Sequence, residues 1–310
     1  MTASSANLPR RILLTGKTGQ IGRELWSFLD TFGDVRAPSS AELDLAFPDA
    51  LKQYLTEWRP HLIVNAAAYT QVDRAEEERD RAMAINGTGP KVMAECAAEL
   101  GAAMVHFSTD YVFDGSKHGF YKEADEPNPK NVYGITKAAG DAAIQKAGIP
   151  HLIFRTSWVY GLNGRNFLLT MQRLARETDE IRVVNDQVGS PTWSRLIAQT
   201  TANILGHVLS DREAEDMSGI EKASGIYNLT CTGWTSWYGF AKAIFDILPE
   251  DERPRLRPIP TSDYPTPAPR PANSVLSVEK LRQQFGITLP DWQGALTFCL
   301  NNQTTPDPAA

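Results

Sequence analysis

The chain is poor in cysteine. Cys96, Cys231 and Cys299 are its three thiols among 310 residues, odd in number and far apart, which argues against a disulfide framework or a thiolate metal site. No apolar run is long enough to span a bilayer, so no membrane partner is expected. The N-terminal residues, MTASSANLP, are small and polar and lack the apolar stretch of a secretory signal, so a cytoplasmic location is expected. There is no basic block, and the net charge is -6, which makes nucleic acid a poor partner. No internal repeat is visible. What remains is ordinary for a globular protein: 42% apolar and 22% charged residues, in a chain long enough for roughly one and a half to two domains.

Short apolar runs alternate with segments of helical spacing. The strand-like runs are ILL (12–14), a weak DVRAP (34–38), HLIVNA (61–66), AMVHF (103–107) and HLIFRT (151–156). Between them, 48–58 reads as a helix with Phe47, Leu51, Tyr54, Leu55 and Trp58 on one side, 75–100 as a long helical region, and 133–147 as a helix closed by Gly148 and Pro150. Strands apolar on both faces and separated by helices predict a buried parallel sheet, a doubly wound, Rossmann-like α/β domain. We expect it to occupy residues 10–160, with 194–232 returning to it through a helix at 195–209 and the strand GIYNL (225–229). Residues 161–193 and 233–300, denser in proline and short segments, predict a smaller C-terminal lobe over the strand ends. The polar tail, 301–310, is expected to be flexible.

The most informative stretch is NVYGITK (131–137). Tyr133 and Lys137 are four apart and share one helix face. A lysine ammonium beside a tyrosine lowers the phenol's pKa from about 10 and makes a usable general acid/base. YxxxK alone describes many surface helices. Upstream, RILLTGKTGQIG (11–22) places GxxGxxG between an apolar run and a helical segment, the context a dinucleotide-binding turn requires. Alone it could be any tight βα turn. Polar clusters at the predicted strand ends follow: NAAAYT (65–70), STDYVF (108–113) and SWVY (157–160). Ligands bind there in open α/β sheets, although each cluster could equally serve local packing.

These motifs, with NAAAYTQVDRAE (65–76), STDYVFDG (108–115), RTSWVYG (155–161), NDQVGSPT (185–192) and YPTPAPRPANS (264–274), resemble the extended short-chain dehydrogenase/reductases. More narrowly, they resemble the dTDP-4-dehydrorhamnose reductase family, over about 11–300. The resemblance implies hydride transfer from a nicotinamide to C4 of a 4-keto dTDP-sugar. Tyr133 is then the proton donor, Thr109 orients the carbonyl, and Lys137 holds the ribose and lowers the tyrosine's pKa. It further implies cofactor contacts from Gly16, Thr18, Gly19, Gln20, Ile21, Gly22, Asp44, Leu45, Ala67, Ala68 and Tyr69. Sugar contacts are implied for Thr109, Asp110 and Trp158, and nucleotide-diphosphate contacts for Asn185, Gln187 and Arg270, whose planar fork suits two phosphate oxygens.

Strand two ends in VRAPSS (35–40), without the acid that would bind a ribose 2′-hydroxyl. Arg36 and Ser39 there suit a 2′-phosphate, so NADPH is expected, with NADH tolerated. The resemblance allows a homodimer and a bound Mg2+, though no cluster in the sequence calls for the metal. Two other readings stay open: a regulatory subunit of the methionine adenosyltransferase type, and another nucleotide-sugar epimerase or dehydratase. The intact Tyr133, Lys137 and Thr109 favour catalysis over the first. The lack of an acidic pair beside Thr109 disfavours a dehydratase.

Overall fold

The computed structural model describes residues 9–209 and 213–302; most of the expected flexible tail lies outside them. The first five strands of the main sheet are β1 (Arg11–Thr15), β2 (Asp34–Arg36), β3 (Leu62–Asn65), β4 (Ala103–Thr109) and β5 (His151–Thr156). Gly225–Asn228 adds a sixth at the edge beside β5. The order is Gly225–Asn228, β5, β4, β3, β1, β2, all parallel. The chain crosses from β1 to β2 on one side and to β3 on the other. The crevice of such a sheet therefore opens at the carboxyl ends of β1 and β3.

Alternation within the strands divides the core into two layers. Ile12, Leu14, Leu62, Val64, Leu152 and Phe154 face one cluster, which the helices Gln20–Leu29 and Ser194–Val208 cover through Leu25, Leu29, Ile197 and Leu205. Leu13, Ile63, Met104 and Ile153 face the other, under Pro48–Trp58 and Gly89–Leu100. Burial on both faces is why these strands read as unbroken apolar runs. Truncating a core side chain such as Leu14, which is 0% exposed, should cost about 2–5 kcal/mol.

Two expectations need correction. Phe47 is 63% exposed. It is the N-cap of Pro48–Trp58, where proline starts the helix, and does not share the buried side of Leu51, Leu55 and Trp58. The long helical region expected at 75–100 begins at Arg79 and runs unbroken to Leu100, but as Arg79–Met83 and Gly89–Leu100 joined by a π turn, Ala84–Thr88, with Val72–Ala75 a separate segment before it. Asn86 explains the turn's place. Its amide bonds both the N–H and C=O of Tyr69 (2.8 and 3.1 Å) and donates to Thr136 Oγ1 (3.1 Å). One side chain thus fastens the loop after β3 to the Tyr133 helix.

The remainder forms two-stranded pairings: Glu180–Val184 with Arg255–Ile259, Val188–Gly189 with Thr235–Ser236, and Val159–Tyr160 with Thr192–Trp193. Among the described residues no helix is long and apolar enough to cross a membrane.

Candidate active site

A cavity of about 730 Å³ opens at the carboxyl ends of β1, β3 and β4, within the range of a cofactor site. At one end lies the glycine turn. Gly16 has φ 77°, and a Cβ there would stand 2.5 Å from the Ala67 nitrogen. The turn is thereby pressed against the loop after β3. A Cβ on Gly22 would meet the Gly16 oxygen at 2.2 Å, so Gly22 lets the helix close onto the turn and does not itself line the cavity. That helix starts at Gly19 with no side-chain cap. Its first N–H groups and the positive end of its dipole suit a pyrophosphate.

At the other end stand Tyr133, Lys137 and Thr109. Asn131 caps the Val132–Ala147 helix by accepting from the Gly134 N–H (2.8 Å) and ties it to Pro269 O (2.8 Å). Gly134 packs so closely that a Cβ would stand 2.1 Å from the Tyr111 oxygen. These two residues seat the helix and so aim Tyr133 across the end of β4. The Tyr111 ring meets the Tyr133 ring edge-on at 5.8 Å.

Beneath the site runs a buried polar chain. Asn65 Oδ1 accepts from Thr15 Oγ1 (2.7 Å) and the Ala67 N–H (3.2 Å), and its Nδ2 lies 3.0 Å from His106 Nδ1. The other imidazole nitrogen stands 3.1 Å from Lys137 Nζ, which donates to Phe107 O at 2.6 Å. Asp141, on the same helix as Lys137, accepts from Ser108 Oγ (2.7 Å) and faces Arg155 and His106, each at 3.7 Å. Lys137 is 1% exposed. Burial pushes its ammonium down to about 8 against the opposing pull of Asp141. Burial, then the Lys137 charge, holds His106 well below its ordinary value, so its imidazole is neutral.

Tyr133 departs from expectation. Removal from water pushes its hydroxyl up to about 12, a bond with Thr109 opposes this, and Lys137 is not among the groups that act on it. The lysine is turned toward Phe107 and His106 instead. Thr109 Oγ1 donates to Asp110 Oδ1 (2.9 Å) and accepts from the Tyr111 N–H (3.2 Å), while Ser157 Oγ donates to Asp110 Oδ2 (2.9 Å). Burial raises Asp110 to about 6 against these hydrogen bonds and one from Ser274.

The wall opposite is aromatic. Trp158 and Trp237 stack at 3.4 Å and 3° and both line the cavity. Trp158 has φ 46°, a conformation that costs a non-glycine residue about 1–3 kcal/mol and gathers at functional sites. A Cβ on Gly189 would stand 2.4 Å from its indole, so the 185–192 segment supports this wall from behind.

Of the residues expected from sequence, Gly16, Thr18, Gly19, Gln20, Ile21, Ser39, Asp44, Leu45, Ala67, Ala68, Thr109, Asp110, Tyr133, Lys137 and Trp158 line the cavity. Six do not. Gly22 has the packing role already described. Tyr69 is buried, its hydroxyl donating to Glu78 (2.9 Å). Arg36 lies over the Trp58 ring at 4.9 Å, drawn to an aromatic face instead of the cavity. Asn185 accepts from Ser236 (2.6 Å) and Gln187 donates to Thr261 (3.1 Å). Arg270 binds Asp73 (2.8 Å) and Ala268 O (3.0 Å), over the Tyr111 ring at 6.0 Å. Sequence reasoning missed Lys17, Arg165 and Trp237 in the lining, and His106 and Asp141 behind it. Lys17 sits inside the glycine motif and was findable; no spacing marks the others. Among the described residues no group of three or more His, Cys, Asp or Glu is placed to hold a metal.

A glycine turn at a parallel sheet's crevice, with a Tyr/Lys helix and a strand-end hydroxyl across from it, defines a short-chain dehydrogenase/reductase. The comparisons narrow this. The model of the RmlD substrate binding domain family matches residues 10–305. The dTDP-4-dehydrorhamnose reductase of Burkholderia thailandensis is 44% identical over 94% of this chain and 98% of its own. Among solved structures, the dTDP-4-dehydrorhamnose reductase of Clostridium acetobutylicum has a TM-score of 0.85 at 36% identity, covering 94% of this chain and 98% of that one. That of Bacillus anthracis, in complex with NADP, has 0.84 at 34% identity, covering 96% and 100%. The chain belongs to the dTDP-4-dehydrorhamnose reductase family.

Proposed function

We propose that the chain reduces the C4 keto group of dTDP-4-dehydro-β-L-rhamnose to give dTDP-L-rhamnose, with NADPH or NADH as the hydride donor. The observation that carries this reading is that Tyr133, Lys137 and Thr109 share one cavity with the glycine turn. The residues fit a dinucleotide: Gly16 keeps the turn open where a Cβ would collide, and the uncapped helix start offers N–H donors. When bound, the nicotinamide supplies a hydride to C4.

The chain's own residues handle the oxygen. Thr109 lies where its hydroxyl can turn from Asp110 to the carbonyl oxygen and polarise it. Tyr133, pushed up to about 12, stays protonated at neutral pH and gives its proton to the alkoxide oxygen as C4 gains the hydride. Lys137, anchored by Phe107 O and His106, sits one turn from Tyr133, where its remaining N–H would meet a ribose. Trp158 and Trp237 offer an apolar wall to the deoxysugar. A regulatory module has no use for an ammonium buried at such cost, which favours the catalytic reading.

Arg270, Asn185 and Gln187 remain proposed contacts of the nucleotide diphosphate. Each is held by a protein partner and must exchange it for phosphate. The preference for NADPH now rests on Lys17 and Ser39, because Arg36 lies elsewhere. Incubation with the dTDP-4-keto sugar and each nicotinamide tests the function. Consumption of reduced nicotinamide, matched by dTDP-L-rhamnose formed, is expected. Tight nicotinamide binding without sugar-dependent consumption would overturn it.

A further inference from the structure

At the end of the cavity away from Tyr133, two hydrogen-bond donors and a nearby ammonium meet one carboxylate oxygen. Glu42 Oε2 accepts from the Ser39 N–H at 2.7 Å and from Ser39 Oγ at 2.8 Å, and Lys17 Nζ lies 3.9 Å from the same atom. Lys17, Ser39 and the adjoining Ser40 line the cavity, and Glu42 does not. One backbone N–H, one hydroxyl and one ammonium make the donor set that a phosphate monoester takes up. Here the protein satisfies it with a carboxylate of its own. That carboxylate is held below the ordinary range by the Ser39 N–H first, then the Ser39 hydroxyl, with a contribution from Lys17, so it is an anion at neutral pH. Its side chain is 65% exposed against 24% for Lys17. The glutamate can therefore swing out into water while the lysine stays over the Trp26 ring, 5.3 Å away.

We propose that Glu42 is a built-in competitor for the 2′-phosphate of NADPH, so that this one side chain sets the cofactor selectivity of the site. The inference rests on the dinucleotide reading given above. In the phosphate-free cofactor, Glu42 keeps its place and presents a carboxylate to a ribose 2′-hydroxyl. The phosphorylated cofactor displaces it, and Lys17 and Ser39 pass from carboxylate to phosphate. Nothing is transferred or broken; one anion replaces another. The protein then accepts both nicotinamides, and binds NADPH less tightly than the Lys17–Ser39 pair alone would allow. The acid expected just after strand two in a site for NADH is thus present, six residues past Arg36, supplied by a loop and not by the strand end.

The test uses adenosine fragments, so it does not depend on turnover. Binding of 2′,5′-ADP and of 5′-AMP is measured calorimetrically on the full chain, on Glu42→Gln and on Lys17→Gln, at low and at physiological salt. Glu42→Gln should tighten 2′,5′-ADP by about fivefold, the scale of one exposed ion pair, and change 5′-AMP by less than about twofold. Lys17→Gln should act in the opposite direction on 2′,5′-ADP. Both effects should shrink as salt screens the charges. If Glu42→Gln leaves the ratio of the two affinities unchanged, or lowers it, Glu42 is only a loop tether and the proposal is wrong. If the unmodified protein binds neither fragment nor either nicotinamide, the dinucleotide reading fails and this inference fails with it. Binding of both nicotinamides with an unmoved ratio in Glu42→Gln would leave the reductase reading intact and overturn this inference alone.

Discussion

The end of the cavity under β4 and the loops of 185–192 and 264–274 carry the same density of sequence motifs, yet they are built differently. At the β4 end, Lys137 and Asp110 are 1% and 3% exposed and their ionisation is displaced by burial. Tyr133, Thr109 and Asp110 line the cavity. In the loops, Asn185, Gln187 and Arg270 are occupied with Ser236, Thr261 and Asp73 and lie outside the lining. The first region stores its cost in advance. Lys137 is held by His106 and Phe107 O, and Asp110 by Thr109 and Ser157, so little reorganisation is left for the reaction itself. The second region has its polar groups satisfied in the protein, and any grip on a diphosphate must replace those partners. Rate should therefore depend on the first region, and binding on the second.

Substitutions that break this contrast fall in a predictable order. Lys137→Ala should have the largest effect. It removes the proposed ribose contact that positions the nicotinamide, so turnover should fall by about 10²-fold or more and nicotinamide affinity should fall with it. Loss of rate at unchanged affinity would remove the lysine from the cofactor site.

Asp110→Asn should follow. Thr109 loses its carboxylate acceptor, and about one hydrogen bond's worth of orientation, 0.5–1.5 kcal/mol, should disappear from kcat. The same variant has a signature in stability. The Asp110 carboxyl is raised above its unfolded value to about 6. Its favourable contribution is therefore present at low pH and is lost as pH rises through about 6. Denaturation measured from pH 4 to 7 should show the parent losing up to about 3 kcal/mol relative to Asp110→Asn. Parallel curves would mean that the buried carboxyl is not protonated at acid pH.

In the loops the effect falls on binding of the nucleotide and not on the chemical step. Arg270→Ala should lower kcat/KM by about 1.5–3 kcal/mol for the nucleotide substrate, and by much less for a keto sugar lacking the diphosphate. Equal losses would mean that Arg270 serves to hold Asp73 and the Tyr111 ring.

The contrast also explains what was legible in the sequence. Parallel strands buried on both faces leave unbroken apolar runs, so HLIV, AMVHF and HLIF could be read directly. The helix signals around Tyr133 were local as well: Asn131 caps, Gly134 permits close packing, and the YxxxK spacing follows from one turn of helix. The π turn at Ala84–Thr88 was not legible, because its cause is the bond from Asn86 to Tyr69, seventeen residues away. Nor was the polar chain under the site, since His106 and Asp141 are single residues joined only by the fold. Arg36 misled for a related reason. Sequence adjacency placed it at the strand end, but the Trp58 ring, from the next helix, decided where its guanidinium lies. Motifs located Tyr133, Lys137 and Thr109, which line one cavity, because their geometry is set by neighbours in the chain. They did not show the protein partners of Asn185, Gln187 and Arg270, which lie far from them in the chain.

The most direct test of the account is the rate of hydride transfer in a single turnover by Tyr133→Phe. It is measured at saturating dTDP-4-keto sugar, with the nicotinamide dissociation constant determined on the same sample. The account predicts cofactor binding within about twofold of the parent and transfer slower by about 10²–10⁴-fold, because only the proton donor is gone. Transfer at the parent's rate would show that the proton comes from elsewhere and that Tyr133 is not the acid of this site.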